Sequence, residues 1–480
     1  MLKTIIRKEL LENIFSFRFP LFTVLCVLLI PLAMYVSQIN LGKKTRDYHE
    51  QTRLADEAAA AITMNDVMAG RVAIKAFRPP ARLSVFAQGF ESALPRYYEF
   101  SQDGFSQGQS ASGDESLQSA QGKIDFVFLL QMILSLIGLL FASDMVAGEK
   151  EAGTLRAMLS NSLPRDSILF GKILGGFLAL WAPFAVAFLI GVIVLLSIGF
   201  PAFAGDTPAR ISTLFLSASL FLFIYYTIGG MISSSTGRTR TALVMILLIW
   251  VSFQLIVPKL GDMIADIVYP IRTETEVSLS KSLLAKSLDD ETSRELGRQY
   301  TLIFPNGEPP GQGDDPTPER KKWAGLKDEI EKSAREAKAR QLARIDETYR
   351  QEKRIRNAIA TDLALLSPSA AFGRLAADIC GTGEIGRTKY MEAVQSHQKA
   401  LDEALFSRVR RTVMALPGGR TSLSFSMQPI DLQTLPKFSI APVSLTAALK
   451  ANAGSLLSLA FWLIAPFAFA YVRFLRYDVR

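Results

Sequence analysis

Apolar residues in this chain gather into long blocks, and charged residues fill the tracts between them. Six blocks read as membrane-crossing helices: Phe19 to Val36, Phe126 to Ala142, Ile173 to Phe200, Ile211 to Ile232, Thr241 to Val257 and Leu456 to Val472. Each is near or above the roughly 20 residues that cross a hydrocarbon core of about 30 Å. Pro31 and Pro183 fall inside blocks, where neighbouring helices tolerate a kink. The pattern predicts an α-helical membrane protein of six transmembrane helices.

The intervening tracts have their own periodicities. Residues 1–18 carry Lys3, Arg7, Lys8 and Arg18, with Ile6, Leu10, Ile14 and Phe17 on one face, as in a helix lying in the membrane interface. L-A-M-Y-V-S after the first block is a poor cleavage site, so that block reads as an uncleaved anchor. In 37–123, Lys43 to Ala61 reads as helix, Arg78 to Phe90 as short strands and turns, and Ser101 to Gly122 as a loop. In 258–454, Asn306 to Thr317 reads as a linker. Thr317 and Pro318 then open a helix to about Asn357. That helix has Glu331–Arg335 and Glu336–Arg340 pairs and a stripe of Trp323, Leu326, Ile330, Ala334 and Ala337. A thin stripe suits a helical hairpin or coiled coil more than a globular core, with Glu384 to Ala415, stopped by Pro417-Gly418-Gly419, as the expected partner. Ser367 and Pro368 start a helix that Gly381 stops. Ser422 to Met427 alternates as a strand to pair near Leu83 to Phe86.

Charge sets the expected topology. Lys150, Arg156, Arg165, Lys172, Arg238, Arg240, Arg473, Arg476 and Arg480 fall on one side if both termini are cytoplasmic, whereas the loop from Pro201 to Arg210 has one Arg. The positive-inside rule then puts 37–123 and 258–454 outside. The predicted segments are 1–36 (interfacial helix and first span), 37–123, 124–257 (spans two to five, with a cytoplasmic loop at 143–168), 258–454, and 455–480 (last span and tail). The two external segments together form an α+β module. Composition agrees: 49% hydrophobic residues, net charge +8 and mean hydropathy +0.23 suit anionic lipid surfaces, and no nucleic-acid motif occurs. Cys26 and Cys380 are too far apart in sequence to suggest a disulfide framework.

Catalytic motifs are missing. No Walker A, H-E-x-x-H or G-x-S-x-G string occurs. His49 and His397 read as exposed surface residues, and Asp125, Asp144 and Asp262 lie near span ends, where reaching water costs little. The chain is expected to have no reaction of its own, no metal and no bound cofactor.

The most informative stretch runs from Asp144 to Gly175, D-M-V-A-G-E-K-E-A-G-T-L-R-A-M-L-S-N-S-L-P-R-D-S-I-L-F-G-K-I-L-G. Gly148 and Gly153 bracket the charged E-K-E, and Leu155, Met158 and Leu159 follow at i, i+3, i+4 spacing. One reading is an interfacial loop that closes a helical hairpin. The other rests on residue order: G-E-K-E-x-G-T-L, then L-S, P-R and G-K-x-x-G resemble the first cytoplasmic loop of ABC-2 type ABC transporter permeases. The N-terminal helix is similar to that family's elbow helix. The six-span layout and the closing R-Y-D-V-R also resemble that family, and R-P-P-A-R-L-S and L-S-P-S-A-A-F resemble its branch associated with multi-copper enzyme maturation and gliding motility. The resemblance implies the ABC-2 permease fold and a coupling helix seated in a partner ATPase. It makes Glu149, Gly153, Thr154, Leu155, Met158, Leu159, Arg165, Gly171 and Lys172 the candidate coupling residues. It further implies two ABC ATPase subunits carrying the ATP and Mg, a second permease subunit, identical or homologous, and an inner-membrane location. The expected function is export or movement of a substrate driven by that ATPase. The alternative is a non-transporting complex that moves an external module against a periplasmic partner.

Overall fold

The apolar blocks form helices that in several places outrun the blocks themselves. The computed structural model describes residues 2–62, 73–101, 104–107, 125–159, 164–305, 318–406 and 435–476. The expected linker at Asn306 to Thr317, the Ser422 to Met427 strand, the Pro417-Gly418-Gly419 stop and most of the Ser101 to Gly122 loop and the R-Y-D-V-R tail lie outside them. The chain divides into two compact units, Met1–Val257 with Leu365–Arg480, and Pro258–Ala364.

In the first unit, α1 (Leu2–Ile14) is followed by α2 (Arg18–Ala60). The first span and the helix expected from Lys43 are one rod of 43 residues, about 64 Å long at 1.5 Å per residue. No proline separates them, and the weak helix former Gly42 costs only about 1 kcal/mol inside a continuous helix. The following helices are α3 (Phe126–Phe141), α4 (Ala147–Ala152), α5 (Thr154–Leu159), α6 (Arg165–Ser197), α7 (Thr207–Ser235) and α8 (Thr239–Val268). After the second unit come α11 (Pro368–Ile379), α12 (Glu384–Leu401), α13 (Leu445–Ala451) and α14 (Ala453–Leu475).

Five helices, α2, α6, α7, α8 and α14, are long and apolar enough to cross a membrane. The remaining apolar block, α3, is shorter, about 24 Å against about 30 Å of hydrocarbon. Leu28, Leu189, Ile193, Val244, Leu457 and Ile464 are exposed on these helices. An outward apolar face of this kind belongs against lipid. Inside, Phe86, Phe126, Phe184, Phe188 and Phe215 make ring contacts at 5.0–6.4 Å, within the range where tilted and offset pairs gain beyond their area.

The tract after α2 forms a three-stranded antiparallel sheet, β1 (Ile74–Phe77), β2 (Tyr97–Ser101) and β3 (Gly104–Gln107), in the order β1-β2-β3. Ile74 pairs with Phe100, and Tyr98 with Gln107. Tyr98 and Phe100 alternate inward with Ala76 and pack on Tyr390, Val394 and Leu401 of α12. Two readings are corrected here. Leu83 to Phe86 is no strand but one turn of 3-10 helix at Arg82–Val85, with Leu83, Val85 and Phe86 buried in the bundle core. His397 is not exposed: α12 covers the sheet, so the ring is buried edge-on to Phe100 and Phe438, with centroids 4.9 and 5.3 Å away.

In the second unit, α9 (Glu274–Ile303) and α10 (Pro318–Ala364) pair antiparallel. The hairpin partner of α10 is therefore α9, and not the 384–415 helix expected from sequence, whose apolar face is taken by the sheet. A capping box opens α9: Glu276 N–H donates to Thr273 Oγ1 at 3.2 Å, and Thr273 N–H to Glu276 Oε2 at 2.8 Å. Lys281–Asp346, Lys338–Asp289 and Lys353–Glu274, at 2.7–2.8 Å, run in antiparallel register along the seam. The pairs Glu331–Arg335 and Glu336–Arg340 form as expected. Trp323, Leu326, Ile330 and Ala334 are half-buried, and Ala337 is exposed.

Candidate functional site

The stretch from Asp144 to Gly175 folds as two short helices leading into a long one. α4 carries Glu149, Lys150 and Glu151. Gly153 ends it with φ +75°, a left-handed conformation that glycine adopts at no steric cost. α5 carries Thr154, Leu155, Met158 and Leu159, and Pro164, extended, precedes α6 at Arg165.

Each residue of the E-K-E sequence reaches a different helix. Glu149 Oε1 lies 2.6 Å from Lys172 Nζ of α6. The same ammonium lies 2.8 Å from Glu9 Oε1 of α1. Lys172 is 1% exposed and Glu9 6%, so one buried cation joins the first helix, the loop and a span. Burial raises the Glu149 carboxyl above its ordinary value, against the downward pull of Lys172. Lys150 Nζ donates to the Ser234 and Thr236 carbonyls, at 2.5 and 3.1 Å, at the C-terminus of α7. That end offers unpaired carbonyls and the negative pole of the helix dipole. Burial, then Arg473, lowers the Lys150 ammonium. Glu151 Oε2 accepts the Thr239 N–H at 3.0 Å, at the N-terminus of α8, which holds its carboxyl below the usual range.

Neighbouring contacts extend the junction. Ser233 Oγ accepts the N–H groups of Val146 and Ala147, both at 3.0 Å. Arg18, opening α2, pairs with Asp144 at 2.9 Å. Arg165 Nη1 donates to the Leu475 carbonyl at 2.7 Å, at the end of α14. The loop and the start of α6 thus touch α1, α2, α7, α8 and α14.

Gly171 and Gly175 are the seat of α1. A Cβ on Gly171 would fall 2.5 Å from Ile5 Cγ2, and one on Gly175 2.8 Å from both Ile6 O and Glu9 Cβ. G-K-x-x-G therefore places two small residues where the helices meet and the lysine beside them.

The candidate residues divide. Glu149, Gly171, Lys172 and Arg165 meet at the junction or its rim, and Gly153 and Thr154 form the turn between α4 and α5. Leu155, expected on an outward apolar face, is 0% exposed in the chain's own core. Met158 is half-buried against the same core, and Leu159 closes α5. The sequence reading passed over Glu9, Lys150, Glu151, Asp144 and Ser233. Glu9 had one signal, a lone acid beside Ile5 and Ile6 on the packing face. The Ser233–Thr236 run, with its short side chains, was the signal for a helix end.

A second polar cluster lies within the bundle. α3 and α8 each widen into a π-turn, at Leu130–Leu134 and Ser252–Ile256. Gln254, on the second, donates to Gln131 O, to Ser135 Oγ at 3.1 Å and to Tyr225 OH at 3.3 Å, and accepts from Ser369 Oγ. Gln131 Nε2 donates to Ser369 O at 2.7 Å, and Trp250 Nε1 to Ser135 Oγ at 3.0 Å. Mutual satisfaction lets these polar groups sit in an apolar interior. Among the described residues, no group of three or more His, Cys, Asp or Glu could hold a metal ion.

Span-length helices, a lipid-facing apolar surface and a polar junction at one end of the bundle define a multi-pass membrane protein. The family described as ABC-2 family transporter protein matches residues 3–479, and the chain belongs to it, as an ABC transporter permease. Members of this family work in the membrane with ABC ATPase partners. Comparison with curated proteins gives no match.

Proposed function

We propose that this permease converts movements of a separate ABC ATPase, docked beneath the Asp144 to Gly175 junction, into rearrangement of the whole bundle. The observation that carries this reading is the junction itself. A push on α4 meets α6, α7 and α8 directly and α1 through Lys172, while Asp144 just before it holds α2 and Arg165 on α6 holds α14, several of these contacts being charge-assisted. In this reading α3 is the sixth span, both termini are cytoplasmic and the membrane is the inner membrane. The sheet with α12, and the α9–α10 hairpin, are external. Two permease subunits pair above two ATPases, which carry the ATP and Mg, and this chain performs no reaction.

Two features favour the mechanical version, in which strokes act on an external partner. α2 is one continuous rod that reaches from the bundle to the sheet-bearing segment. The polar groups around Gln254 bond to one another. Transport of a substrate along a path through the bundle is the other version.

Co-purification with the cognate ATPase followed by an ATPase assay tests the proposal. The chain alone hydrolyses no ATP, the complex does, and Glu149→Ala and Arg165→Ala lower stimulated hydrolysis more than retention. Unchanged stimulation in both variants would reduce the loop to a hairpin closure.

A further inference from the structure

We propose that a cleft at the opposite end of the bundle binds an organic phosphate, carried on a lipid or on a small soluble molecule. The cleft holds about 570 Å³, within the range that takes one small ligand. It lies by Arg210, in the first turn of α7, about 36 Å along that helix from Ser234 at the junction. Pro79, Pro80, Leu94, Ile440 and Pro442 give it apolar walls, and Arg78, Arg82, Arg210, Arg387 and Lys389 give it charge.

Three of those cations are already matched. Arg78 reaches Glu91 through Nη1–Oε2 at 2.6 Å and donates from Nη2 to the Glu91 carbonyl at 3.0 Å. Arg210 pairs with Asp206 at 2.7 Å and donates to the Ile379 and Val443 carbonyls. Arg387 pairs with Glu384. Arg82 and Lys389 line the same cleft and have no carboxylate partner among the described residues. The cleft therefore presents about two uncompensated positive charges between apolar walls. A phosphate carries more charge than a carboxylate and offers acceptors to both a guanidinium fork and an ammonium. An alkyl or acyl body attached to it suits the prolines and Ile440.

The R-P-P-A-R turn fixes the backbone that presents Arg82, an exposed side chain at the cleft, and Lys389 beside it is half-buried. Pro79 and Pro80 have fixed φ, and the Ala81 N–H donates to Glu91 Oε1 at 3.3 Å. One tempting source of phosphate binding is set aside by the geometry. Gly381 to Gly386 reads G-T-G-E-I-G, but it follows a helix rather than a strand. The Ile385 N–H at the start of α12 is taken by Asp378 Oδ1 at 3.1 Å. A Cβ on Gly383 would fall 2.2 Å from that same oxygen and one on Gly386 2.4 Å from Gly381 O, so these two serve close packing, while Gly381 supplies a left-handed turn at φ +74°. Side chains, not a helix N-terminus, would hold the phosphate.

The test needs no ATPase, so it stands or falls apart from the coupling reading. The full chain is reconstituted in phosphatidylcholine nanodiscs and titrated with hexyl phosphate. Parallel discs containing phosphatidic acid are analysed for retained lipid by native mass spectrometry. Saturable binding of hexyl phosphate is expected, weakened roughly tenfold by Lys389→Gln and again by the double variant Arg82→Gln/Lys389→Gln. Lys286→Gln on α9, which contributes no residue to the cleft, leaves it unchanged. Retention of phosphatidic acid without hexyl phosphate binding, lost in the double variant, assigns the phosphate to the bilayer. Binding equal in wild type and double variant overturns the proposal. Should the double variant not purify, the wild type decides: no saturable binding of either probe overturns it equally.

Discussion

Replacing Lys172 by Met keeps an unbranched side chain of similar reach and removes one charge. The wild-type ammonium is 1% exposed and sits 2.8 Å from Glu9 and 2.6 Å from Glu149. Without it, the buried Glu9 and half-buried Glu149 carboxylates face the same space, and Glu149 Oε2 already has no hydrogen-bond partner. Removing one member of a buried ion pair costs about 3–5 kcal/mol, mostly through the charge left behind. Folding stabilities of about 5–15 kcal/mol make that a large fraction. The triple variant Glu9→Gln/Lys172→Met/Glu149→Gln removes every charge and should recover most of the loss, since replacing a whole buried cluster by neutral groups is often close to neutral. Thermal unfolding of the purified chain, followed by tryptophan fluorescence, reads the first effect. ATPase stimulation in the reconstituted complex reads the second. Lys172→Met should melt well below wild type, and the triple variant near it but with stimulation reduced. A Lys172→Met protein that melts with wild type would refute the claim that this cation holds α1, α4 and α6 together.

Leu155→Asp places an unpaired carboxylate in the core and should abolish folded protein in size-exclusion analysis. Half-buried Met158→Asp should leave the fold and reduce ATPase co-purification. Gly175→Leu drives α1 off its seat, so protease cleavage within residues 2–14 should quicken while the remaining bundle stays intact. His397 is held below its ordinary pKa of 6.5 by burial. The unfolded chain then binds the proton more readily, so stability is complete above about pH 6.5 and declines as pH falls below it. His397→Phe should flatten that acid decline in thermal melts, and an unchanged pH profile would remove His397 as its cause.

The apolar blocks were legible because a lipid-facing helix must be apolar over its length, and that leaves a composition signal in any window. Residue order singled out the loop, and the structure joins Glu149 to Lys172 there, whereas Arg165 bonds the end of α14. Leu155 was misjudged because periodicity reports which residues share a face, not whether that face meets the chain or a partner. The pairing of α10 was missed for a related reason. Both α9 and α12 carry an amphipathic pattern, and only the fold shows that the sheet claims the face of α12. Glu9, Lys150 and Glu151 escaped because a charged residue that bonds a backbone group or a distant side chain looks, in sequence, like one that faces water.

Lys150 and Glu151 grip backbone atoms, the carbonyls of Ser234 and Thr236 and the N–H of Thr239, whereas Glu149 grips a side chain. This difference decides which lesions can be suppressed genetically. No exchange on α7 or α8 can reverse the polarity of a peptide group, so the backbone part of the contacts at 150 and 151 has no complementary mutation, and only the charges of Arg473 beside Lys150 and of Arg238 and Arg240 beside Glu151 can be exchanged. At 149 the contact has a second side chain that can also be exchanged. Second-site revertants of Glu149 lesions should therefore map to α6 and α1, around Lys172 and Glu9. Lesions at 150 and 151 should be repaired less readily, by true reversion, by changes that rebuild the loop, or by charge changes at Arg473, Arg238 or Arg240.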